Sequence, residues 1–495
     1  MPAPSNYPHI YWWRDPGLRT LNFLLLTSYL AATTNGYTSS LISNLIANPH
    51  WTHSIASPST APLHLGLVTA AHSLGCIAAF APAPWLSEKR GRRAAILAGN
   101  VGILAGAAAQ PFCTTPAQFL AARLVVGCAN IFNVVSASAL LVEVAHPRQR
   151  GVAGALFNAC FFVGSVAAAW VAYGTLGVAG KWSWRVPVLV QGVWSVAQIG
   201  FVFFCPESPA WLVRNGERAR ARDILVKYHA NGRADDPSVL AEFEKMCAAA
   251  EMSGRGGESG WLALCATPGN RRRLVLSVVI GVATQWVGNG IISFYLAPVL
   301  QTIGITDVFQ QQGINGGLQI YNWFLAFGAA LLSEKAGRRR LFLTSAATML
   351  VFMVLITVCS ALYSKTKSVA SGYAVVFFLF LFLGGYVIGL TPIPVLYVNE
   401  IWPSHLRTKG TSVLWVSQAV AVCFSQFVNP VALREIAWRY YLVYVAVLVA
   451  VIIFMFFCVP ETKGLSLEEV GNLFDRREHG TEELSDIVSR RVDEV

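Results

Sequence analysis

Runs of about 20 apolar residues follow one another along the chain and constrain its fold more than any other feature. Two of them, 94–112 and 440–457, contain no charged residue at all. A helix of 20 residues is about 30 Å long, the thickness of the hydrocarbon core of a membrane. Only 13% of the 495 residues are charged, whereas a soluble domain has roughly 25%. The sequence therefore predicts a polytopic membrane protein and excludes a soluble enzyme, a secreted disulfide scaffold and a disordered chain.

Twelve such runs divide the chain into two groups of six. The first group comprises 18–46, 63–86, 94–112, 116–142, 151–175 and 184–204, and the second comprises 271–301, 313–333, 341–363, 371–398, 411–431 and 438–459. We therefore expect an all-α membrane protein with twelve transmembrane helices in two six-helix halves, 18–204 and 271–459. Outside the halves we expect an N-terminal tail (1–17), a central loop with short amphipathic helices (205–270) and a C-terminal tail (460–495).

The distribution of Lys and Arg predicts the orientation of these helices. Of the 37 basic residues, 30 fall on the side of the two tails and the central loop, six fall on or near the other side, and Arg123 lies inside the fourth span. Basic residues accumulate in cytoplasmic loops. We therefore expect a multi-pass protein of the plasma membrane with both termini in the cytoplasm.

Charge and cysteine placement exclude several other functions. The basic residues form short clusters between apolar runs and not a continuous stripe, so nucleic acid is not an expected partner, whereas the lipid bilayer is. The ten cysteines include no Cys-x-x-Cys pair, which favours packing residues over a metal site. The chain has no nucleophile–base constellation and no glycine-rich phosphate loop. We expect no enzyme activity, no cofactor and no bound metal.

Short charged motifs recur at matching places in the two halves. Residues 87–93 (SEKRGRR) return as 333–339 (SEKAGRR), 246 residues later. Glu143 precedes Arg150 by seven positions, as Glu400 precedes Arg407, and a Pro-Glu pair follows both the sixth and the twelfth span. Two matching halves with parallel repeats indicate a secondary transporter that binds its substrate between the halves and works by alternating access.

The charges of these motifs lie at cytoplasmic helix ends, where they can form charge-assisted hydrogen bonds between helices and between halves. Such a latch forms when the cytoplasmic side closes and breaks when it opens. The alternative is that the charges only orient loops and bind lipid phosphates. The predicted network comprises Glu88, Arg92, Arg93, Glu143, Arg150, Glu207, Glu334, Arg338, Arg339, Glu400, Arg407 and Glu461.

With these motifs in this order, the chain resembles the sugar porters of the major facilitator superfamily over its whole length. The strings 145–151 (AHPRQRG) and 285–290 (QWVGNG) make it most similar to fungal lactose and cellodextrin permeases. The chain departs from the family at Ala210, where an Arg usually follows Pro-Glu-Ser-Pro. One donor of the predicted latch is therefore missing.

The resemblance implies a sugar site built from amides, which can donate and accept hydrogen bonds at once. The matching positions are Asn158, Gln285, Asn289, Asn322 and Gln418, and Trp286, Tyr295 and Asn429 are supporting candidates. Val387 and Val395 stand where family members carry Glu and Trp. The smaller side chains favour a disaccharide over glucose.

The resemblance also bears on energy coupling. Proton-coupled sugar porters carry an Asp after Gly-Tyr in the first span, close to the Arg of the fourth span, and this chain has Thr38 there. No Asp or Glu falls in the middle of a span, so Arg123 is predicted to have no acidic partner. His72 is the only histidine in the middle of a span and the remaining coupling candidate, since histidine titrates near neutral pH. The sequence predicts facilitated diffusion, with weak or no proton coupling.

We therefore expect a membrane transporter for a sugar, either a disaccharide such as lactose or cellobiose or a hexose, that functions as a monomer. One alternative is a transporter of another small molecule, such as a polyol, a quinate-like acid or a secondary metabolite. A less favoured alternative is a sugar sensor that does not transport, because the C-terminal tail is short. The sequence leaves the solute, the direction of net flux and the regulation open.

Overall fold

In the computed structural model of the chain, the structure describes residues 13–55, 62–147, 149–255, 261–403, 406–463, 470 and 473–474. Its regular elements there are helices. They are α1 (Pro16–Leu24), α2 (Leu26–Ile46), α3 (Pro49–Ser54), α4 (Pro62–Ala79), α5 (Pro82–Arg90), α6 (Arg92–Ala109), α7 (Pro116–Val144), α8 (Arg150–Thr175), α9 (Trp182–Phe204), α10 (Pro209–Arg214), α11 (Arg218–His229), α12 (Pro237–Arg255), α13 (Pro268–Trp286), α14 (Asn289–Thr302), α15 (Val308–Ala336), α16 (Arg338–Thr366), α17 (Val369–Gly389), α18 (Ile393–Ile401), α19 (Arg407–Ile436) and α20 (Tyr440–Cys458).

Eight stretches of the described chain are long and apolar enough to cross a membrane, or nine if the bent pair α4–α5 is counted as one span. The stretch Lys409–Cys458 contains both α19 and α20. The two predicted spans that remain are α1–α2 and α15. These helices are long but carry rows of polar residues, including Thr33, Thr34 and Asn35 on α2 and Gln311, Gln312 and Asn315 on α15. The fold is thus the predicted all-α membrane protein of twelve spans.

The helices form two halves. In the first half α2 packs on α8 and α7 packs on α4 and α6, and in the second half α16 packs on α17 and α20, and α13 packs on α19. The halves meet mainly along α8 with α15 and α4 with α19. Any substrate site between the halves is therefore bordered by these four helices and by α2, α13 and α14.

We call the end of the bundle where α1 begins and α20 ends the tail side, and the opposite end the far side. The central-loop helices α10 to α12 pack against one another, against α1 and against the end of α7. They therefore lie on the tail side and are attached to the first half.

Besides the short break at Leu25 between α1 and α2, three more spans of the described chain are interrupted. The helices α4 and α5 meet at a bend of 48°, just before Pro82, and α17 ends before Pro392. Proline cannot donate the backbone hydrogen bond that would continue a helix. The third break separates α13 from α14 at Gly288, whose φ of 98° lies in the left-handed region. The sequence predicted spans two, seven and ten as single runs over 63–86, 271–301 and 371–398, so it showed none of these three breaks.

Candidate functional site

Two of the predicted amides meet on one hydroxyl between α13 and α19. The Nε2 of Gln418 donates to Thr284 Oγ1 at 3.0 Å, and the Nε2 of Gln285 donates to the same oxygen at 3.3 Å. The Thr284 hydroxyl donates to the Gly281 carbonyl at 2.7 Å. These bonds use one N–H of each amide and leave its carbonyl oxygen and second N–H for other partners. Thr284 thus fixes how both amides face the space beside them.

Gly281 explains why α13 and α19 come this close. A Cβ at that position would lie 2.9 Å from the Leu414 carbonyl oxygen and 2.8 Å from the Ser417 side chain. Only glycine allows a backbone approach of this kind without displacing the neighbour. Neither Gly281 nor Thr284 was among the predicted site residues, although Thr284 directly precedes the predicted Gln285.

Two further predicted amides carry buried oxygens without a partner. Asn289 begins α14 and Asn322 lies on α15 with 4% of its surface exposed, and the Oδ1 atoms of both lack a hydrogen-bond donor among the described residues. A buried acceptor left unsatisfied costs about 1–3 kcal/mol. A ligand or water that donates hydroxyl groups would remove this cost.

The break between α13 and α14 places Asn289 in this region. A Cβ at Gly288 would lie 2.7 Å from the Met353 side chain and 3.2 Å from Tyr444, so the left-handed turn and the tight packing both require glycine. Irregular backbone at membrane depth is tolerated where it is buried in protein or lines a cavity. A discontinuous helix in the middle of a transporter is a common place for its substrate site.

The fifth amide, Asn158, lies on α8 in the other half and is partly buried. Its neighbour Ala159 packs with Ala326 of α15, in the cluster that also contains Phe162 and Val387. Asn158 therefore lies along the same α8–α15 contact as Asn322. Val387 is 1% exposed in this cluster, so the smaller side chain adds no open space at that position in this conformation.

The three supporting candidates form hydrogen bonds between different pairs of helices. The Nε1 of Trp286 donates to the Ala421 carbonyl at 3.1 Å, which joins α13 to α19. The Oδ1 of Asn429 accepts from the hydroxyls of Tyr440 and Tyr444 at 2.9 and 2.8 Å. Tyr295 is fully buried between the halves, with its hydroxyl 2.8 Å from that of Thr69 and 2.9 Å from the Gln426 carbonyl. Asn429 and Tyr295 therefore hold helices together in this conformation.

The coupling candidates meet inside the first half. Arg123 is 0% exposed, and one of its Nη atoms donates to the Thr38 carbonyl at 3.3 Å. Within the described ranges no carboxylate lies within 4.0 Å of its guanidinium, and its Nε has no partner. The Nδ1 of His72 lies 3.8 Å from Cys76 Sγ, and its Nε2 is unpaired. Arg123 thus has no acidic partner in the part of the chain that the structure describes.

On the tail side, the first half contains a compact charge network. Arg92 donates to both oxygens of Glu143, at 3.0 and 3.1 Å, and to the Ser87 carbonyl at 2.9 Å. Glu207 accepts from the backbone N–H groups of Arg92 and Arg93, at 3.1 and 3.2 Å, at the start of α6. Burial raises the pKa of Glu207, and its backbone hydrogen bonds oppose that shift.

The second half repeats this geometry. Arg338 donates to Glu400 at 2.9 Å, and Glu461 accepts from the backbone N–H groups of Arg338 and Arg339 at 2.9 and 3.2 Å. Burial alone would raise the pKa of Glu461, but four backbone hydrogen bonds lower it below its usual value. A carboxylate at a helix N-terminus also interacts favourably with the helix dipole. The repeated sequence motifs therefore build the same structure twice.

The remaining members of the predicted network have varied environments. The side chains of Arg93 and Arg339 donate to carbonyls at the ends of α9 and α20. Arg150 pairs with Glu242 of α12, and the side chain of Glu88 is exposed. The Nε and one Nη of Arg407 have no partner among the described residues. The side chain of Glu334 lies outside the described residues.

The structure partly compensates for the missing donor at Ala210. Arg214, one helical turn later on α10, lies 3.9 Å from Glu143 Oε1. Arg214 is about half exposed, so this ion pair contributes less than the buried pair of Arg92 and Glu143.

Hydrogen bonds between the two halves are confined to the far-side half of the bundle in the described chain. Ser73 donates to Gln426 at 2.9 Å, and Thr69 and Tyr295 share a hydroxyl contact. Asn44 of α2 accepts twice from α15, through its Oδ1 from Asn315 at 2.8 Å and through its carbonyl from Gln312 at 2.9 Å. The charged networks on the tail side join helices within one half. The predicted latch between halves is thus not formed by the described residues in this conformation.

The chain is similar to known transporters over most of its length. A family model described as "Sugar (and other) transporter" matches residues 24–474. The MFS-type transporter oryC of Aspergillus oryzae is 28% identical over 423 residues, which cover 83% of this chain and 77% of that protein. The low-affinity glucose transporter HXT4 of Saccharomyces cerevisiae is 27% identical over 419 residues, 83% of this chain and 72% of that protein.

Among solved structures, the proton:xylose symporter XylE bound to 6-bromo-6-deoxy-D-glucose has a similar fold. Its TM-score is 0.77 at 20% identity, over 92% of this chain and 99% of that one. At this identity the likeness concerns the arrangement of the helices.

Proposed function

The chain belongs to the family of sugar and other transporters, and from this premise we propose that it carries a hexose or a disaccharide across the membrane by alternating access. The observation that carries the proposal is the group of amides around the break between α13 and α14, two of which are fixed by Thr284. The similarity to a glucose transporter over 83% of the chain supports a sugar as the solute.

A sugar hydroxyl is both a donor and an acceptor, and this matches what the site offers. The unpartnered oxygens of Asn289 and Asn322 accept hydroxyl protons, and the free N–H groups of Gln285 and Gln418 donate to hydroxyl oxygens. Trp286 directly follows Gln285 and is the aromatic ring that packs against the apolar face of the sugar in this proposal. The strings 145–151 and 285–290 support a place near the fungal lactose and cellodextrin permeases.

The tail side is the cytoplasmic side in this proposal, because most of the basic residues lie there. The far side, where the halves are hydrogen-bonded, then faces outward, and the described conformation corresponds to an inward-facing state. In the outward-facing state the charged networks of the two halves approach each other and the contacts of Asn44 break. The protein acts as a monomer in the plasma membrane.

Transport is driven by the substrate gradient alone. A proton symporter needs a group that gains and loses a proton within the membrane and senses the substrate. The absence of a carboxylate beside Arg123, among the described residues, supports a uniporter.

The experiment is uptake of labelled glucose, galactose, lactose, cellobiose, glycerol and quinate in yeast that lacks its own sugar transporters. We expect one or more sugars to enter, and we expect Gln285→Ala and Asn322→Ala to raise KM for that sugar roughly five- to tenfold, since each removes about one hydrogen bond. Gln301→Ala, at an exposed position of α14, is the matched control and leaves KM unchanged. Uptake of glycerol or quinate without any sugar would contradict the proposal.

A further inference from the structure

His229, the last residue of α11, lies in a buried junction on the tail side. Its Nδ1 is 3.0 Å from Glu242 Oε2 of α12, and its Nε2 is 3.1 Å from the Val144 carbonyl oxygen at the end of α7. Its side chain is 3% exposed. One imidazole therefore connects the central-loop helices to the end of a transmembrane helix.

Both partners of His229 are acceptors. A neutral imidazole has a single N–H and can donate to only one of them, whereas an imidazolium has two N–H groups. The neutral ring would leave a lone pair facing either the carboxylate or the carbonyl at about 3 Å. With an ionised Glu242, only the protonated ring can donate to both partners.

Besides Glu242, two charged or titratable side chains face His229 from the elements around it. Arg150 of α8 donates to the other oxygen of Glu242 at 2.6 Å and to the Ala145 carbonyl at 3.0 Å. His146, between α7 and α8, packs its ring edge against that of His229 at 5.2 Å between centroids. On α11 itself, the nearest charged side chain, Lys227, is exposed and its ammonium lies over the ring of Tyr228.

Glu242 is expected to stay ionised in this junction. Burial alone would raise the pKa of Glu242, but the hydrogen bond from His229 and the charges of Arg150 and His146 lower it below its usual value. The neighbouring carboxylate, Glu143, is engaged by Arg92 and does not compete for His229.

We propose that His229 is a proton-controlled clamp, whose protonated form fastens α11 and α12 to the tail-side ends of α7 and α8. The fastened state holds one more proton than the released state, so it is favoured as pH falls and weakened as pH rises. When the clamp loosens, Glu242 loses its hydrogen bond to His229. Glu242 is also the partner of Arg150, the first residue of α8, so the ion pair of Arg150 and Glu242 is weakened too. The pH on the tail side thereby controls the attachment of the central loop, whatever solute the protein carries.

Hydrogen–deuterium exchange of the full chain in lipid nanodiscs tests this proposal. After correction for the chemical exchange rate, we expect amides of 219–229 and 144–150 to exchange roughly tenfold faster at about pH 8 than at about pH 6, the ratio expected for loss of one charge-assisted hydrogen bond. His229→Gln is expected to abolish this pH dependence. The matched control His50→Gln, at an exposed position on the far side, keeps it.

A second variant covers the case in which His229→Gln does not fold. Glu242→Gln keeps the shape of the partner and removes its charge, so it is also expected to abolish the pH dependence of exchange. The proposal is overturned if wild-type exchange in these segments does not depend on pH, or if either folded variant keeps the full dependence.

Discussion

Thr284 has an unusual role for a single hydroxyl in a membrane protein. Its proton goes to the Gly281 carbonyl, and its oxygen accepts from two amides on two helices. Without this oxygen, each amide could rotate and form its hydrogen bond with another group. The hydroxyl thus prepares Gln285 and Gln418 for a ligand before the ligand arrives, and such preorganisation reduces the entropy lost on binding.

The first prediction concerns this hydroxyl. Thr284→Val keeps the side-chain shape and removes all three hydrogen bonds, so both amides lose their orientation. We expect KM for the transported sugar to rise roughly five- to tenfold with a smaller change in kcat, since a hydrogen bond contributes about 0.5–1.5 kcal/mol. Initial uptake rates over a range of sugar concentrations measure this change.

Thr357→Val is the matched control for that variant. Thr357 is also buried and donates to a carbonyl of its own helix, that of Met353, but it lies on α16, which carries none of the predicted amides. The KM of Thr357→Val for the transported sugar is expected to equal that of the wild type. An equal rise of KM in both variants would indicate a general packing effect and would remove the special role of Thr284.

The second residue-scale prediction concerns coupling. Because Arg123 faces the Thr38 carbonyl and no carboxylate in the described chain, sugar addition to energised cells is expected to cause no alkalinisation of the medium. A protonophore is expected to leave the initial uptake rate unchanged. His72→Ala is expected to change neither result, since transport driven by the sugar gradient alone requires no group that takes up a proton. A stoichiometric alkalinisation that His72→Ala abolishes would contradict the prediction and identify His72 as the coupling group.

At the scale of elements, the starts of α6 and α16 are built alike. Gly91 and Gly337 precede these helices with φ of 96° and 85°. A Cβ at Gly91 would lie 2.6 Å from Glu207 Oε2, and one at Gly337 would lie 3.0 Å from Glu461 Oε2. Two features therefore require glycine in each motif. The backbone has a positive φ, and a Cβ would collide with the carboxylate that caps the next helix.

This geometry gives a stability prediction. Gly91→Ala and Gly337→Ala are each expected to destabilise the protein by about 1–3 kcal/mol, through backbone strain and displacement of the capping carboxylate. Gly154→Ala on α8 is expected to stabilise the protein slightly. Nothing lies within 4 Å of the new Cβ, and alanine favours helices more than glycine does. Thermal unfolding of the purified protein in detergent measures all three. Equal stability of Gly91→Ala and wild type would show that Glu207 does not constrain this turn.

Some elements could be predicted from the sequence and others could not, for a physical reason. Ten of the spans are identified by apolar runs, because a membrane imposes length and composition on each helix separately. The polar spans α1–α2 and α15 were found from the same pattern, although they carry amides and hydroxyls. The break at Gly288 was missed, because the apolar run continues through it and its cause is packing against Met353 and Tyr444, residues distant in sequence.

At the scale of the whole molecule, the duplicated motifs predicted the two halves and their charged networks. The sequence named Arg92, Glu143, Arg338 and Glu400 as members of a network without pairing them, and the structure shows the pairs Arg92–Glu143 and Arg338–Glu400. The conformation could not be derived, because a transporter alternates between states that differ by only a few kcal/mol. In the proposed mechanism, the contacts that distinguish the states, such as those of Asn44, join helices whose separation changes during transport.

The last prediction follows from the chemistry of those contacts. Asn44 is buried and holds α15 through two neutral hydrogen bonds, and its backbone carbonyl survives any substitution. Asn44→Ala therefore removes one of the two bonds and is expected to shift the equilibrium toward the state that is open on the far side, roughly fivefold for about 1 kcal/mol.

Distances between nitroxide labels at positions 177 and 307, in far-side loops of the two halves, measure this shift in a background without reactive cysteines. We expect a longer-distance population that grows in Asn44→Ala and that is little affected by salt, because no ions take part. The matched control is Asn100→Ala: Asn100 is also buried, but it donates only to Ile96 of its own helix. If Asn44→Ala left the distance distribution unchanged, the remaining contacts of Ser73, Thr69 and Tyr295 would suffice to hold the far side closed, and Asn44 would be a packing residue.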